Sequence, residues 1–306
     1  MELALIGLGR MGGNMARRLV AHGHRVIGYS RTRATVEEYI PYGIVPAYTP
    51  EEAIGALTPP RIVWFMYPAG EPTEQAIFQF AELLQPGDLV VNGANSYYRD
   101  SIRYAERLAE RGIQFADVGV SGGVWGLENG YGLMAGGAPE VIARIEPLLR
   151  DLAPAPDKGW VHVGPVGAGH FAKMVHNGIE YGIMQAYAEG FELMRRKTEF
   201  NIDLAKVADA WCYGTVVRSW LLELIAGFLK EDAVLAETAP YVADSGEGRW
   251  TAQEAIELGC PAPLITLALH ERFRSQDAEG YTYRFLAQLR KAFGGHAVKK
   301  VEEPKE

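Results

Sequence analysis

The sequence predicts an α/β fold in which a Rossmann-type doubly wound sheet is followed by an all-helical region, and three observations predict it. The chain opens on a strand, a glycine-patterned turn and a helix. Buried strand runs then alternate with helical segments as far as Val163. After the glycine-rich turn Gly164-Pro165-Val166-Gly167-Ala168-Gly169, strand patterns stop. At 306 residues the chain exceeds what one hydrophobic core supports, so two domains are expected, residues 1–166 and 167–306.

The first unit is Leu3-Ala4-Leu5-Ile6, then Gly7-Leu8-Gly9-Arg10-Met11-Gly12, a helical run from Asn14 to His22, and Arg25-Val26-Ile27-Gly28-Tyr29. This strand, GxGxxG turn, helix and strand form the βαβ setting in which the motif binds a dinucleotide. Gly7 permits the tight turn, Gly9 lets backbone approach a pyrophosphate, and Gly12 lets the helix pack on the strand. Leu8, Arg10 and Met11 complete the loop at a helix N-terminus that offers free N–H groups. An NAD site expects a carboxylate after the second strand. Here Ser30-Arg31-Thr32-Arg33 stands there, and two guanidiniums with two hydroxyls suit the 2'-phosphate of NADP, with NAD as the alternative.

The alternation continues through Ile62 to Met66, a helix from about Thr73, Leu89 to Val91, and a helix from about Asp100. Phe115 to Val120, Tyr131 to Ala135, a helix from Pro139 to Leu152 and Trp160 to Val163 follow. Ligands bind at the C-terminal ends of such strands. The loops there are Tyr67-Pro68-Ala69-Gly70, Asn92-Gly93-Ala94-Asn95-Ser96 and Ser121-Gly122-Gly123. Beyond Gly169 the helical segments are His170 to Arg196, Asp203 to Cys212, Val216 to Lys230, Ala252 to Leu258 and Pro263 to Phe273. The charged stretch from Lys299 to Glu306 is expected to fray.

A net charge of −8 argues against a general nucleic-acid binder or a basic membrane-surface protein. No apolar run is long enough to span a bilayer and no signal peptide is evident, so a cytoplasmic location is expected. Cys212 and Cys260 lack a CxxC arrangement and read as buried thiols. The histidines lack a metal-ligand spacing, so no metal is expected.

The stretch GHFAKMVHNGIEYG places Lys173, His176, Asn177, Glu180 and Tyr181 at i, i+3, i+4, i+7 and i+8, on one helical face. Taken alone, such a stripe is more often solvated surface. Gly178 and Gly182 each cost this helix roughly 1 kcal/mol relative to alanine, which suggests that something packs closely there.

Together with the fingerprint at Gly7 to Gly12, the Asn92–Ser96 and Ser121–Gly123 loops and Asp244-Ser245-Gly246-Glu247-Gly248-Arg249-Trp250-Thr251-Ala252, this stretch resembles the 6-phosphogluconate dehydrogenases, in their short form, within the β-hydroxyacid dehydrogenase superfamily. The resemblance implies oxidative decarboxylation of 6-phospho-D-gluconate to D-ribulose 5-phosphate and CO2 with reduction of NAD(P), without a metal. It makes Lys173 the general base and Glu180 the general acid. It implies substrate contacts from Asn95, Ser121, Gly122, Gly123, His176 and Asn177, and a phosphate site from Tyr181, Arg249, Thr251 and Arg272. Arg290 and His296 would reach into a partner subunit's site, which makes a homodimer or homotetramer. Asn95 joins Ser30, Arg31, Thr32, Tyr67, Pro68 and Ala69 around the cofactor.

Two departures stand out. Val124-Trp125 follows Ser-Gly-Gly where the long enzymes have acidic residues, and Arg249 replaces the usual Lys before Trp-Thr. The competing readings are a dehydrogenase of another β-hydroxyacid, such as 3-hydroxyisobutyrate, and a non-catalytic NADP-binding protein. The arginine set counts against the first, and the presence of both Lys173 and Glu180 against the second.

Overall fold

The computed structural model describes residues 1–300. Residues 301–306, which include most of the charged stretch expected to fray, lie outside the described residues.

Eight strands form one sheet: β1 (Glu2–Ile6), β2 (Arg25–Tyr29), β3 (Val45–Ala47), β4 (Ile62–Phe65), β5 (Leu89–Asn92), β6 (Gln114–Ser121), β7 (Gly132–Gly136) and β8 (Trp160–Gly164). Their order is β3-β2-β1-β4-β5-β6-β7-β8, with every pair parallel except β6–β7. Strand order reverses between β1 and β4, and the glycine turn leaves β1 at that switch point, where doubly wound sheets hold their ligands.

Because strand side chains alternate, each strand feeds two cores. Leu3, Leu5, Trp64, Val91 and Val118 face one layer, which holds Met15 and Leu19 of α1 (Arg10–Ala21). Ala4, Ile6, Val63, Phe65 and Val90 face the other. Short helices α2 (Arg33–Glu37) and α3 (Pro50–Gly55) flank β3, and Ile77 and Phe80 of α4 (Glu71–Ala81) and Tyr104 and Leu108 of α5 (Tyr98–Ala109) complete the second layer. Helix α6 (Gly126–Asn129) lies within the β6–β7 connection. Ile145 and Leu149 of α7 (Pro139–Leu152) return to the first layer.

The remaining helices are α8 (Ala168–Arg196), α9 (Leu204–Trp211), α10 (Trp220–Glu231), α11 (Glu247–Glu257), α12 (Pro263–Gln276) and α13 (Tyr281–Gly294). Contacts divide the chain into two compact units. One comprises Met1–Glu180 with Trp250–Leu258, and the rest of the described chain forms the other. The second has a small core of Leu204, Ala208, Leu222, Ala226 and Leu229.

Some boundaries differ from the sequence reading. Helix α10 starts at Trp220 rather than Val216, because the Ser219 hydroxyl accepts from the Leu222 N–H at 3.1 Å and caps it. Helix α11 starts five residues before Ala252, and α13 has no counterpart in the sequence reading. The expectation of two buried thiols fails: Cys212 is half-buried, but Cys260 is exposed just beyond α11.

Candidate active site

The glycine turn has the shape a pyrophosphate needs. Gly7 has φ +101°, and a Cβ there would lie 2.6 Å from the Met66 carbonyl. A Cβ on Gly12 would lie 2.0 Å from the Gly7 carbonyl, whereas one on Gly9 would meet nothing within 4 Å. Gly9 caps α1 without any side-chain hydrogen bond, and the first turn holds no acidic residue. The first N–H groups therefore face open space, as a bound anion requires, and a dinucleotide fits these residues.

Ser30, expected at the adenosine end, instead holds the turn: its hydroxyl accepts from the Leu8 N–H at 2.8 Å. Beyond it lies a cavity of about 300 Å³ whose lining includes Tyr29, Arg31, Tyr67, Glu71 and Gln75. Burial pushes the Tyr67 phenol up to about 12. Arg31 lies over the Tyr67 ring, 5.9 Å from its centroid. Arg33, the second guanidinium of the sequence reading, is paired with Glu37 at 2.8 Å and stacked on Tyr48 instead. Thr32 is exposed at the N-terminus of α2. Pro68 is exposed but tied down where its carbonyl accepts from the Thr73 hydroxyl, and Ala69 is half-buried beside it.

The polar stripe of α8 is not a solvated face at its start. Lys173 is 4 % exposed, its amine donates to Asn177 Oδ1 at 2.5 Å, and His176 Nδ1 lies 3.3 Å away. His176 Nδ1 and Glu180 Oε2 are 3.9 Å apart, and both side chains are well exposed. The stem of Lys173 rests on the backbone of β6: a Cβ added to Gly119 would lie 2.4 Å from the Lys173 Cβ. An amine, an imidazole, an amide and a carboxyl thus form one connected group in which the amine is buried and the acid is wet.

Asn95 is not presented as a free amide. With φ +49° it bonds both ways to Val120, donating to its carbonyl at 2.9 Å and accepting from its N–H at 2.8 Å. It therefore fixes the residue before Ser121, where Gly122 (φ +126°) and Gly123 (φ +54°) turn the chain. The 3₁₀ turn 123–125 leaves Val124 and Trp125 exposed, and the Val124 carbonyl accepts from Asn14 of α1 at 3.3 Å. Thr251, read as a phosphate ligand, is buried and donates to the Met174 carbonyl at 2.8 Å. Its methyl is also what a Cβ on Gly178 would strike, at 2.7 Å, whereas one on Gly182 would meet nothing. Close packing explains the first of those glycines and not the second.

In the second unit, Tyr181, Arg249 and Arg272 converge. Arg272 stacks on the Tyr181 ring at 3.5 Å and donates to the Ala243 carbonyl at 2.8 Å. Gly248 makes room for that ring, since a Cβ there would lie 2.3 Å from it. Arg249 is already engaged, 2.6 Å from Asp244, a carboxylate that the sequence reading gave no role. The side chain of Asp244 is 3 % exposed and also accepts from the Tyr181 hydroxyl at 3.3 Å and the Gly246 N–H at 3.0 Å. Arg290, on α13, and His296, just past it, are both exposed. Among the described residues, no group of three or more His, Cys, Asp or Glu side chains could hold a metal, and no helix is long and apolar enough to cross a membrane.

The sequence reading also passed over Asp117, which is wholly buried on β6 beneath the start of α8. Burial pushes its carboxyl up to about 6, against the pull of the backbone N–H groups of His170 and Gly167. A charge inside the strand run Phe115 to Val120 was the available signal.

Two family profiles cover the chain: "NAD binding domain of 6-phosphogluconate dehydrogenase" over residues 2–164, and "6-phosphogluconate dehydrogenase, C-terminal domain" over 169–303. A relative from Haloferax volcanii, named as an NAD(+)-dependent, decarboxylating 6-phosphogluconate dehydrogenase, is 38% identical over 99% of this chain and 100% of its own. A Bacillus subtilis protein of the same name is 35% identical over 90% of this chain, which spans 61% of it. The solved Plasmodium falciparum 6-phosphogluconate dehydrogenase, studied with NADP+ and with 6-phosphogluconate, superposes on the whole chain with a TM-score of 0.83 at 28% identity; the match covers 67% of that enzyme.

Proposed function

The chain belongs to the 6-phosphogluconate dehydrogenase family, and from that premise we propose that it converts 6-phospho-D-gluconate and NAD(P)+ to D-ribulose 5-phosphate, CO2 and NAD(P)H. The observation that carries this reading is the buried Lys173 amine, bonded to Asn177 on the helical face that also bears His176 and Glu180.

The nicotinamide ring, when bound, supplies the acceptor for the hydride of substrate C3. Lys173, as the neutral amine, takes the proton of the C3 hydroxyl as that hydride leaves. Now cationic, it donates to the new C3 carbonyl and stabilises the negative charge that develops there as the C1 carboxylate departs as CO2, so no metal is required. Glu180, as the carboxylic acid, then protonates the carbon that lost CO2. The seven-residue separation sets Lys173 and Glu180 about 10 Å apart along the axis, room for a sugar acid to be addressed at two places. His176 and Asn177 orient the hydroxyls, Ser121 with Gly122 and Gly123 receives the carboxylate, and Tyr181, Arg249 and Arg272 receive the phosphate.

NADP is the preferred cofactor on the strength of Arg31, with NAD also used. Glu71 lines the same cavity and would repel a 2'-phosphate, which holds the preference down. A second copy of the chain is the partner. Helix α13 buries no side chain, and Tyr281, Phe285, Leu289 and Phe293 form an exposed apolar stripe at i, i+4, i+8 and i+12. Covering that stripe would bring Arg290 and His296 to the neighbour.

One observation favours a second reading. Arg249 is compensated by Asp244, which weakens the case for a dianionic phosphate and leaves a dehydrogenase of an unphosphorylated β-hydroxyacid as the rival. A nicotinamide-reduction assay with 6-phosphogluconate, gluconate and 3-hydroxyisobutyrate, each with NAD and NADP, separates them. Turnover of 6-phosphogluconate, faster with NADP, is expected. Rapid turnover confined to an unphosphorylated acid would sink the proposal.

A further inference from the structure

The first turn of α8 lies directly on the backbone of β6 and β7, at positions where only glycine fits. A Cβ on Gly169 would stand 2.4 Å from the Met134 carbonyl and 2.6 Å from that of Asp117; one on Gly136 would stand 2.7 Å from the Gly169 nitrogen. Into this contact Asp117 sends both carboxylate oxygens. Oδ1 accepts from the Gly167 N–H at 2.6 Å and Oδ2 from the His170 N–H at 2.7 Å. Two of the donors that a helix start leaves unpaired are thus satisfied by a carboxylate from the sheet rather than by a residue of the helix itself.

Asp117 and Gly119 are two apart on one strand and share a face. The strand advances about 6.7 Å between them, and the helix advances about 6 Å over the four residues from Gly169 to Lys173. The two spacings agree, so the strand meets the helix at two points. Asp117 grips the turn at Gly167 to His170, and Gly119 receives the stem of Lys173.

We infer that Asp117 is the positioning residue for Lys173: it clamps α8 on β6 in the one register that sets the Lys173 stem on Gly119. Asp117 touches no substrate; it acts through the helix. The inference rests on the proposed role of Lys173 in proton transfer, but its geometry does not.

The test is Asp117→Asn in the full-length protein. The amide keeps one acceptor and turns a donor toward the other N–H, so the clamp is lost while shape and volume are kept. A displacement of the amine of about 1 Å costs on the order of 100-fold in kcat, with KM for 6-phosphogluconate and the dissociation constant for NADP within about threefold of wild type. A second readout needs no substrate. Acetylation of Lys173 by acetic anhydride, measured by peptide mass spectrometry against exposed Lys197, speeds up in the variant. A folded variant with kcat near wild type and unchanged acetylation overturns the inference. If the wild-type protein does not oxidise 6-phosphogluconate, the functional reading fails and the acetylation arm still decides. If Asp117→Asn does not fold, Gly119→Ala takes its place, pressing on the other anchor. It should show the same fall in kcat at unchanged KM and the same faster acetylation of Lys173, and a variant that leaves both at wild-type levels overturns the register.

Discussion

Helix α8 is built in two different ways on either side of Glu180. Up to that residue one face of it packs on glycine backbone, clamped by Asp117 and sealed by Thr251. From Tyr181 onward Tyr187, Phe191 and Met194 pack on the small core, the charged partners are a guanidinium stacked on Tyr181 and ion pairs within the helix, and Ile183, Met184 and Leu193 are exposed. The difference matches what each side is proposed to do. Proton transfer needs atoms held to a fraction of an ångström, which close packing supplies. Recognition of a phosphate is a matter of charge, which tolerates looser geometry.

The largest expected effect breaks the buried side. Lys173→Arg leaves a cation that cannot lose its proton at working pH, so turnover falls by at least about 10³-fold while NADP binding, followed by fluorescence titration, is unchanged. Next comes the charged side. Arg272→Ala removes a guanidinium seated on Tyr181; loss of a charge-assisted bond of about 1.5–3 kcal/mol raises KM for 6-phosphogluconate roughly 10- to 150-fold at nearly constant kcat, read from steady-state kinetics. If kcat fell as far as for Lys173→Arg, the contrast between the two sides would be wrong.

Two glycines of α8 sharpen the contrast at smaller scale. Gly178→Ala drives a methyl into Thr251, whose hydroxyl is held by the Met174 carbonyl, and destabilises by about 1–3 kcal/mol. Gly182→Ala meets open space and stabilises by up to about 1 kcal/mol through helix propensity. Thermal melts of the pair should move in opposite directions.

A further effect appears only on acidification, where in the wild-type protein two groups nearly cancel. His170 is fully buried, its Nδ1 2.7 Å from the Ser101 hydroxyl, and burial pushes its imidazole down to about 3. The unfolded chain takes up that proton near pH 6.5 and the folded chain does not, so stability present above that pH is lost as pH falls. Asp117 works the other way: raised to about 6, it binds a proton more tightly when folded and adds stability as pH drops below that value. The two offset each other, and the melting temperature should change little from these groups between pH 7 and 5. His170→Leu removes one side of the balance. Relative to wild type it should gain roughly 2 kcal/mol between pH 8 and pH 5, measured by denaturant titration at both.

The order of strands and helices in the first 164 residues was legible because hydrophobic period and glycine punctuation are local signals. The short strand β3 and helix α13 were not: Val45-Pro46-Ala47 carries a proline, and α13 has a charged face and an apolar stripe that stays exposed. At the candidate site, Lys173, His176, Asn177 and Glu180 follow from helical spacing once the helix is known. Asp117, Gly119 and Asp244 do not, because what they touch lies 50, 54 and 63 residues away, at Gly167, Lys173 and Tyr181. Asn95 and Thr251 were picked out through the resemblance, but the hydrogen bonds they make to the backbone of Val120 and Met174 are a tertiary fact.

The uncovered stripe on α13 has a kinetic corollary. Under the proposal that a second copy covers this exposed stripe, the fraction of complete sites follows mass action, with protein concentration as the variable. Specific activity would then cease to be a constant of the protein and fall on dilution, so that the cell's level of this chain sets how active each copy is as well as how many copies there are.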